Sequence, residues 1–135
     1  MTWDAACQCG AMTLTSAVAP AFSLVCGCTA CQRRTGSAFS VNAYFPKDLV
    51  ETSGREQTWS RATDSGRRLT NHFCPNCGTT LYWDFDMRPD HFGVASGCLK
   101  TSVDPPIRAV WTHRMPDWVT FPTGWPVYPG AAPTA

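Results

Sequence analysis

Seven of the eight cysteines in this chain fall into three short groups, and this grouping constrains the fold more than any other feature of the sequence. A structural zinc ion takes four protein ligands, whereas a catalytic zinc ion keeps three and leaves one position for water or substrate. Seven thiolates therefore suggest one closed metal site and one open site, and the odd number favours an enzyme. The groups are Cys7-Gln8-Cys9, Cys26-Gly27-Cys28-Thr29-Ala30-Cys31 and Cys74-Pro75-Asn76-Cys77.

The first and third groups have spacings that suit one four-thiolate site. The two residues between Cys74 and Cys77 let a tight turn present both thiolates to one ion, and Gly78 supplies the backbone freedom that such a turn needs. Cys7 and Cys9 lie two residues apart, so in an extended segment both side chains point the same way. The sequence predicts a structural zinc site from these four cysteines. A redox pair is the alternative for Cys74 and Cys77.

The second group is short enough for one loop to supply three vertices of a tetrahedron. Three thiolates give bound zinc a net negative charge, so the metal is a weaker Lewis acid than zinc bound by neutral histidines. A centre held by Cys26, Cys28 and Cys31 therefore suits the binding of a substrate thiolate better than the generation of hydroxide.

The protein itself has candidates for the fourth position at this second site. Cys98 is the first of them, although an isolated cysteine among apolar residues is more often a small buried hydrophobe. His72 and His113 are further candidates, and for both we favour an ordinary strand or surface role. A fourth protein ligand would close the site and weaken the case for catalysis.

Charge and the termini exclude several classes of partner. The formal net charge is +1, so no overall field attracts a phosphate backbone, and nucleic acid is not expected as a partner. The amino terminus lacks the pattern of a secretory signal, and no apolar stretch is long enough to span a membrane. We therefore expect a cytoplasmic location without membrane binding, where thiols stay reduced and clustered cysteines bind metals; four disulfides are the alternative.

Short alternating segments separated by turns predict a mainly β protein. A helical turn is expected over 30–35, ended by Gly36 in the left-handed conformation. A hairpin is expected where Asp64-Ser65-Gly66 separates two of the strands. We expect a single zinc-binding domain over 1–128 and a flexible tail over 129–135. The predicted strands are 12–17, 22–25, 39–45, 57–61, 67–73, 80–85, 91–95 and 107–112.

The order and spacing of these motifs resemble the glutathione-dependent formaldehyde-activating family, also called the GFA or CENP-V/GFA domain. The resemblance covers most of the chain. Weaker similarities are Val103-Asp104-Pro105-Pro106 and Trp118, and the chain differs at Gly27, where many relatives carry histidine. The matching elements are Cys7-Gln8-Cys9-Gly10-Ala11, the segment from Cys26 to Phe39, which includes Gln32-Arg33-Arg34-Thr35-Gly36, and Phe73-Cys74-Pro75-Asn76-Cys77-Gly78-Thr79-Thr80-Leu81.

The resemblance implies an Mss4-like β fold with two zinc ions per chain. It implies a structural zinc ion on Cys7, Cys9, Cys74 and Cys77, and a catalytic zinc ion on the triple that begins at Cys26. The implied activity is that of a carbon–sulfur lyase that forms S-hydroxymethylglutathione from glutathione and formaldehyde, or acts on a related thiol adduct. Arg33 or Arg34 would bind a glutathione carboxylate. A zinc-stabilised glutathione-binding or carrier module without turnover is the alternative.

Overall fold

Short β-strands dominate the computed structural model of the protein, which describes residues 2–63 and 66–133. The mainly β prediction is therefore confirmed. The predicted hairpin turn at Asp64-Ser65 and the last two residues of the predicted tail lie outside the described residues. The strands are β1 (Trp3–Ala6), β2 (Thr13–Ser16), β3 (Phe22–Cys26), β4 (Ser40–Pro46), β5 (Val50–Ser53), β6 (Gln57–Ala62), β7 (Arg68–Phe73), β8 (Thr80–Phe85), β9 (His91–Ala95) and β10 (Ala109–Val110).

The strands form two sheets. A three-stranded sheet has the order β1-β2-β5, and a seven-stranded sheet has the order β10-β3-β4-β9-β8-β7-β6. All named pairs are antiparallel except the pair of β10 with β3, which is parallel. A parallel pair requires a long connection, and here six other strands, β4 to β9, lie between β3 and β10 along the chain.

One helix, α1 (Thr29–Thr35), follows the second cysteine group. The Cys28 sulfur accepts a hydrogen bond from the Cys31 N–H and caps the first turn. The helix ends at Gly36, whose φ of 65° lies in the left-handed region that glycine adopts without strain. The predicted helical turn and its glycine stop are confirmed. Further 3-10 turns span Lys47–Leu49, Ser96–Cys98 and Thr112–Arg114.

Three elements differ from the sequence prediction. Strands β1 and β5 were not predicted, because each has only four residues and β5 is mostly exposed, so neither has a clear apolar alternation. The predicted strand over 107–112 is mostly wrong, since β10 has only two residues. Trp111 turns the chain away with a φ of 55°, and a 3-10 turn follows.

The side chains of strand β4 alternate between the main core and the opposite face of the large sheet. Ala43 and Phe45 are both 0% exposed and belong to the main core cluster. Ser40, Asn42 and Tyr44 alternate with them, so they point to the other face, where they are also buried. This second face, which we call the cysteine face because Cys26 is opposite Ser40 on it, carries the candidate site. No helix among the described residues is long and apolar enough to cross a membrane.

Candidate metal centres

Four cysteine sulfurs meet where the two sheets join. Cys7 and Cys9 follow β1, whereas Cys74 and Cys77 lie in the turn between β7 and β8. All four sulfur atoms lie within 4.8 Å of one another. The Sγ atoms of Cys7 and Cys9 are 3.7 Å apart, as are those of Cys9 and Cys74. The four cysteines that the sequence predicts to share one site therefore lie together in the structure.

Local hydrogen bonds favour the thiolate forms of Cys9 and Cys77. The Met12 N–H donates to the Cys7 sulfur at 3.2 Å, and the Cys77 sulfur lies 3.3 Å from the Thr79 hydroxyl. Hydrogen bonds from the Thr79 side chain and backbone lower the pKa of Cys77 to about 5. A hydrogen bond from the Asn76 side chain is the largest of the effects that lower the pKa of Cys9. Although a backbone hydrogen bond with Cys77 lowers the pKa of Cys74, burial and the neighbouring thiols of Cys7 and Cys77 raise it. Thiolates are the ligand form of cysteine, so Cys9 and Cys77 are the two members of the group that most favour a cation.

The second group lies at the end of β3. Cys26 is the last residue of that strand, Cys28 caps α1, and Cys31 is in the first turn of the helix. Their sulfurs lie within 4.8 Å of one another. Interactions with Cys28 and Cys31 hold the pKa of Cys26 far above its ordinary value, and interactions with Cys26 and Cys28 hold the pKa of Cys31 far below it. A cation that binds these three sulfurs would displace their remaining thiol protons into the solvent.

None of the other described His, Cys, Asp or Glu side chains completes a four-ligand group at this second centre. Cys98 packs against the main core, and burial raises the pKa of its thiol. His72 is held by two carboxylates, with Nδ1 2.9 Å from Glu56 and Nε2 2.6 Å from Asp84. His113 is exposed, and its Nδ1 contacts the carbonyl of Pro129.

Arg34 projects from α1 over the cysteine face. Its guanidinium carbon lies 4.3 Å from the centroid of the Trp83 ring, and its Nη2 donates to the Asn42 side-chain oxygen at 3.4 Å. The positive charge of Arg34 also contributes to the low pKa of Cys31. Arg33, the neighbouring candidate, is exposed. Of the two arginines that the sequence indicates, Arg34 contacts residues of the cysteine face.

Trp83 lies flat on the sheet because Gly93 is opposite it. The two residues are cross-strand partners, and a Cβ at Gly93 would lie 2.1 Å from the indole Nε1. Trp83 is only 3% exposed. Glycine at this position therefore provides the space that allows the ring to support Arg34.

A buried tyrosine also contributes to the floor of this face. Tyr44 is 7% exposed and stacks on Phe22, with ring centroids 4.8 Å apart. Burial raises the pKa of Tyr44 to about 12, and hydrogen bonding to Asn42 and Trp83 only partly offsets this effect. Its phenol stays neutral at ordinary pH. Asn42, Tyr44 and Trp83 are site residues that the sequence did not predict, although the alternation of β4 predicts that Asn42 and Tyr44 share the face of Ser40.

The family described as glutathione-dependent formaldehyde-activating enzyme (GFA) matches residues 2–114, a range that includes all seven grouped cysteines. The chain belongs to this family. A crystal structure of a Rhodobacter sphaeroides protein is similar in fold, with a TM-score of 0.59 and 21% sequence identity, over 76% of this chain and 91% of that chain. At 21% sequence identity, this similarity is evidence of a shared fold alone.

The donor atoms of the GFA cysteine groups fit a zinc ion. Zinc–sulfur bonds of about 2.3 Å in a tetrahedron place neighbouring sulfurs about 3.8 Å apart. The two 3.7 Å separations within the four-cysteine group agree with this value. They are much longer than a disulfide bond of about 2.05 Å, and all eight cysteines are free. Both groups could therefore hold a metal ion.

Gly27, where many GFA relatives carry histidine, has no room for a side chain. A Cβ there would lie 2.5 Å from Met115 and 2.7 Å from the Trp111 carbonyl. Met115, which is 9% exposed, occupies this space. The absence of a side chain at Gly27 therefore leaves no enlarged cavity, because the carboxyl-terminal segment packs against the cysteine loop.

Proposed function

We propose that the protein binds two zinc ions and catalyses the reversible addition of the glutathione thiol to formaldehyde, which gives S-hydroxymethylglutathione. Structural zinc binds to Cys7, Cys9, Cys74 and Cys77, and catalytic zinc binds to Cys26, Cys28 and Cys31. The observation that carries the proposal is the three-sulfur group without a fourth ligand among the described residues. Membership of the GFA family supports the choice of substrates.

The reaction joins sulfur to carbon. The thiol loses its proton, a sulfur–carbon bond forms, the carbon–oxygen double bond becomes single, and the oxygen gains a proton. Zinc held by the three thiolates would supply an electrophilic centre that favours the deprotonated form of a bound thiol. In the reverse, lyase direction the sulfur–carbon bond breaks and formaldehyde leaves.

The residues of the cysteine face bind and orient glutathione. Arg34 has donors beyond the one that contacts Asn42, and a guanidinium can accept a carboxylate in a two-pronged geometry. Its support on Trp83 limits its motion, so less side-chain entropy is lost on binding. The buried phenol of Tyr44 and the indole of Trp83 keep water from the floor of the site. We therefore propose that Arg34, rather than Arg33, binds a glutathione carboxylate.

Exchange NMR with ¹³C-formaldehyde and glutathione tests this function. Wild-type protein is expected to accelerate the interconversion of formaldehyde hydrate and S-hydroxymethylglutathione. Cys31→Ser removes one ligand of the three-cysteine group and leaves the four-cysteine group intact. We therefore expect the exchange rate that this variant catalyses to be at least about 100-fold lower than that of the wild type. Zinc analysis is expected to give two ions for the wild type and one for this variant.

Cys98→Ser provides a matched control, since Cys98 belongs to neither group of sulfurs. It is expected to retain the wild-type acceleration and zinc content. Full acceleration by Cys31→Ser would contradict catalysis at the three-cysteine centre. Binding of glutathione by the wild type without any acceleration would instead support a carrier.

A further inference from the structure

Asn42 is a buried amide on the cysteine face. It is 4% exposed, and it lies on β4 two residues from Ser40, the register partner of Cys26. Its own partners across the sheet are Leu24 on β3 and Ala95 on β9. Burying an amide between apolar neighbours is unfavourable unless its polar atoms are paired. The contacts of its two polar atoms therefore indicate what the amide does.

The two polar ends of the Asn42 side chain have different partners. Its Oδ1 accepts a hydrogen bond from Nη2 of Arg34 at 3.4 Å. Burial raises the pKa of Tyr44, and a hydrogen bond with the Asn42 side chain opposes this effect. A hydrogen bond that lowers the pKa of a phenol stabilises the phenolate, so the amide N–H group is the donor. An ionised carboxylate could accept from Arg34 but could not donate to Tyr44.

Arg34 has only uncharged partners on this face. None of the ion pairs among the described residues includes Arg34. Its guanidinium lies on the Trp83 ring and donates to the Asn42 amide, and neither group carries a formal charge. A guanidinium has five N–H donors, so several remain for a carboxylate from solution. These contacts therefore orient the guanidinium without neutralising it.

We infer that Asn42 is a positioning residue that sets the charge preference of the site, because its neutral amide orients Arg34 and leaves the guanidinium free to bind the carboxylate of an anionic thiol. The inference rests on the proposed function and adds the property of the thiol that the site selects. A carboxylate at position 42 would itself bind Arg34, through charge-assisted hydrogen bonds that are about twice as strong as neutral ones. A ligand carboxylate would then meet a neutralised arginine and a second negative charge.

Calorimetric titration of the zinc-loaded protein with glutathione and with glutathione diethyl ester tests this inference. Both ligands have the thiol, but the ester has no carboxylate. The wild type is expected to bind glutathione at least about tenfold more tightly than the ester. Asn42→Asp is expected to weaken glutathione binding at least about tenfold and to bind the two ligands within about threefold of each other. Asn42→Ser is the neutral control and is expected to keep the preference for glutathione.

A double-mutant cycle with Arg34→Met separates an effect that acts through Arg34 from a direct one. In the Arg34→Met background, Asn42→Asp is expected to change the affinity for glutathione by less than about threefold, because the guanidinium through which it acts is absent. An equal loss of affinity in both backgrounds would overturn the inference. So would a loss of the glutathione preference in Asn42→Ser as large as that in Asn42→Asp, since this would show a structural role without charge selection.

Ala95→Asp keeps the test valid if Asn42→Asp does not fold. Ala95 is half-buried and is the register partner of Asn42, so its side chain is on the same face, and the same loss of glutathione preference is expected. Thr58→Asp adds an identical charge at an exposed position of β6, four strands away from β4 in the sheet. It is expected to bind both ligands as the wild type does. Circular dichroism and zinc analysis verify the fold of each variant.

The outcomes distinguish this inference from the proposed function. If the wild type does not bind glutathione, the proposed function fails and the inference fails with it. If the wild type binds glutathione and the ester equally, or if Asn42→Asp keeps the wild-type preference, the inference alone is overturned and the thiol site stands.

Discussion

At the scale of single residues, Gly93 determines where Arg34 can lie. Any side chain at this position would displace the Trp83 ring, which in turn supports the guanidinium. The sequence contains no local sign of this dependence. Gly93 is an unremarkable glycine within a strand, and its importance follows only from its pairing with Trp83.

Gly93→Ala is expected to destabilise the protein by about 1–3 kcal/mol, because the added methyl group overpacks a rigid indole ring. It is also expected to weaken the binding of glutathione, since Arg34 loses its support. Urea unfolding and calorimetry measure the two effects. Gly97→Ala is the matched control, as a Cβ there would meet no atom within 4 Å, and a change within about 0.5 kcal/mol is expected. Equal stability of the two variants would contradict the packing argument.

At the scale of elements, a polar network joins the segment before β6 to β7 and β8. The Tyr82 hydroxyl donates to Glu56 at 2.8 Å, and the His72 ring stacks on Tyr82 with centroids 4.2 Å apart. Lys47, from the 3-10 turn after β4, reaches the same network through Asp84. The order of β7 and β8 along the chain predicts their pairing, but the sequence has no periodic signal that brings Glu56 or Lys47 to them.

This network keeps Tyr82 protonated in alkaline solution. Burial, followed by the hydrogen bond to Glu56 and its charge, raises the pKa of Tyr82 well above its ordinary value. A raised native pKa stabilises the fold below the unfolded pKa of about 10, and this contribution is lost as the pH rises through the native value. Native Tyr82→Phe is therefore expected to show the same absorbance change at 295 nm as the wild type between pH 9 and 11.

The unfolded proteins provide the control for this titration. In concentrated guanidinium chloride all three tyrosines are exposed, so Tyr82→Phe should lose about one third of the wild-type amplitude. A similar loss in the native proteins would show that Tyr82 ionises normally and would contradict its coupling to Glu56.

At the scale of the whole molecule, the four-cysteine group connects the two sheets. Cys7 and Cys9 extend from β1 of the small sheet, and Cys74 and Cys77 lie in the turn between two strands of the large sheet. Structural zinc contributes about 10–16 kcal/mol in small domains, compared with a net stability of about 5–15 kcal/mol for a typical protein. Zinc at this position would therefore account for most of the stability.

Chelation of zinc is expected to unfold the protein, with loss of its near-ultraviolet circular dichroism and recovery when zinc is restored. Cys31→Ser separates the two centres: before chelation it should keep the wild-type spectrum, because its four-cysteine group is intact. A metal-free protein with an unchanged spectrum would show that the sheets hold together without the ion.

The sequence alone determined the features that depend on neighbouring residues. Spacing within each cysteine group sets which sulfurs a short turn can bring together, and Gly36 ends α1 through its own backbone conformation. The alternation of apolar and polar residues predicted most strands of the mainly β fold, because the apolar residues of a strand buried on one face recur at every second position.

Only the tertiary structure decided which distant side chains share the cysteine face. Strand β10 returns to β3 across most of the chain and places Val110 beside Cys26, while Cys98 packs against the core instead. Met115 fills the space at Gly27 in the same way. Local patterns do not encode these contacts, because they arise from the parallel register and from the packing of the carboxyl-terminal segment, which depend on the assembled sheet.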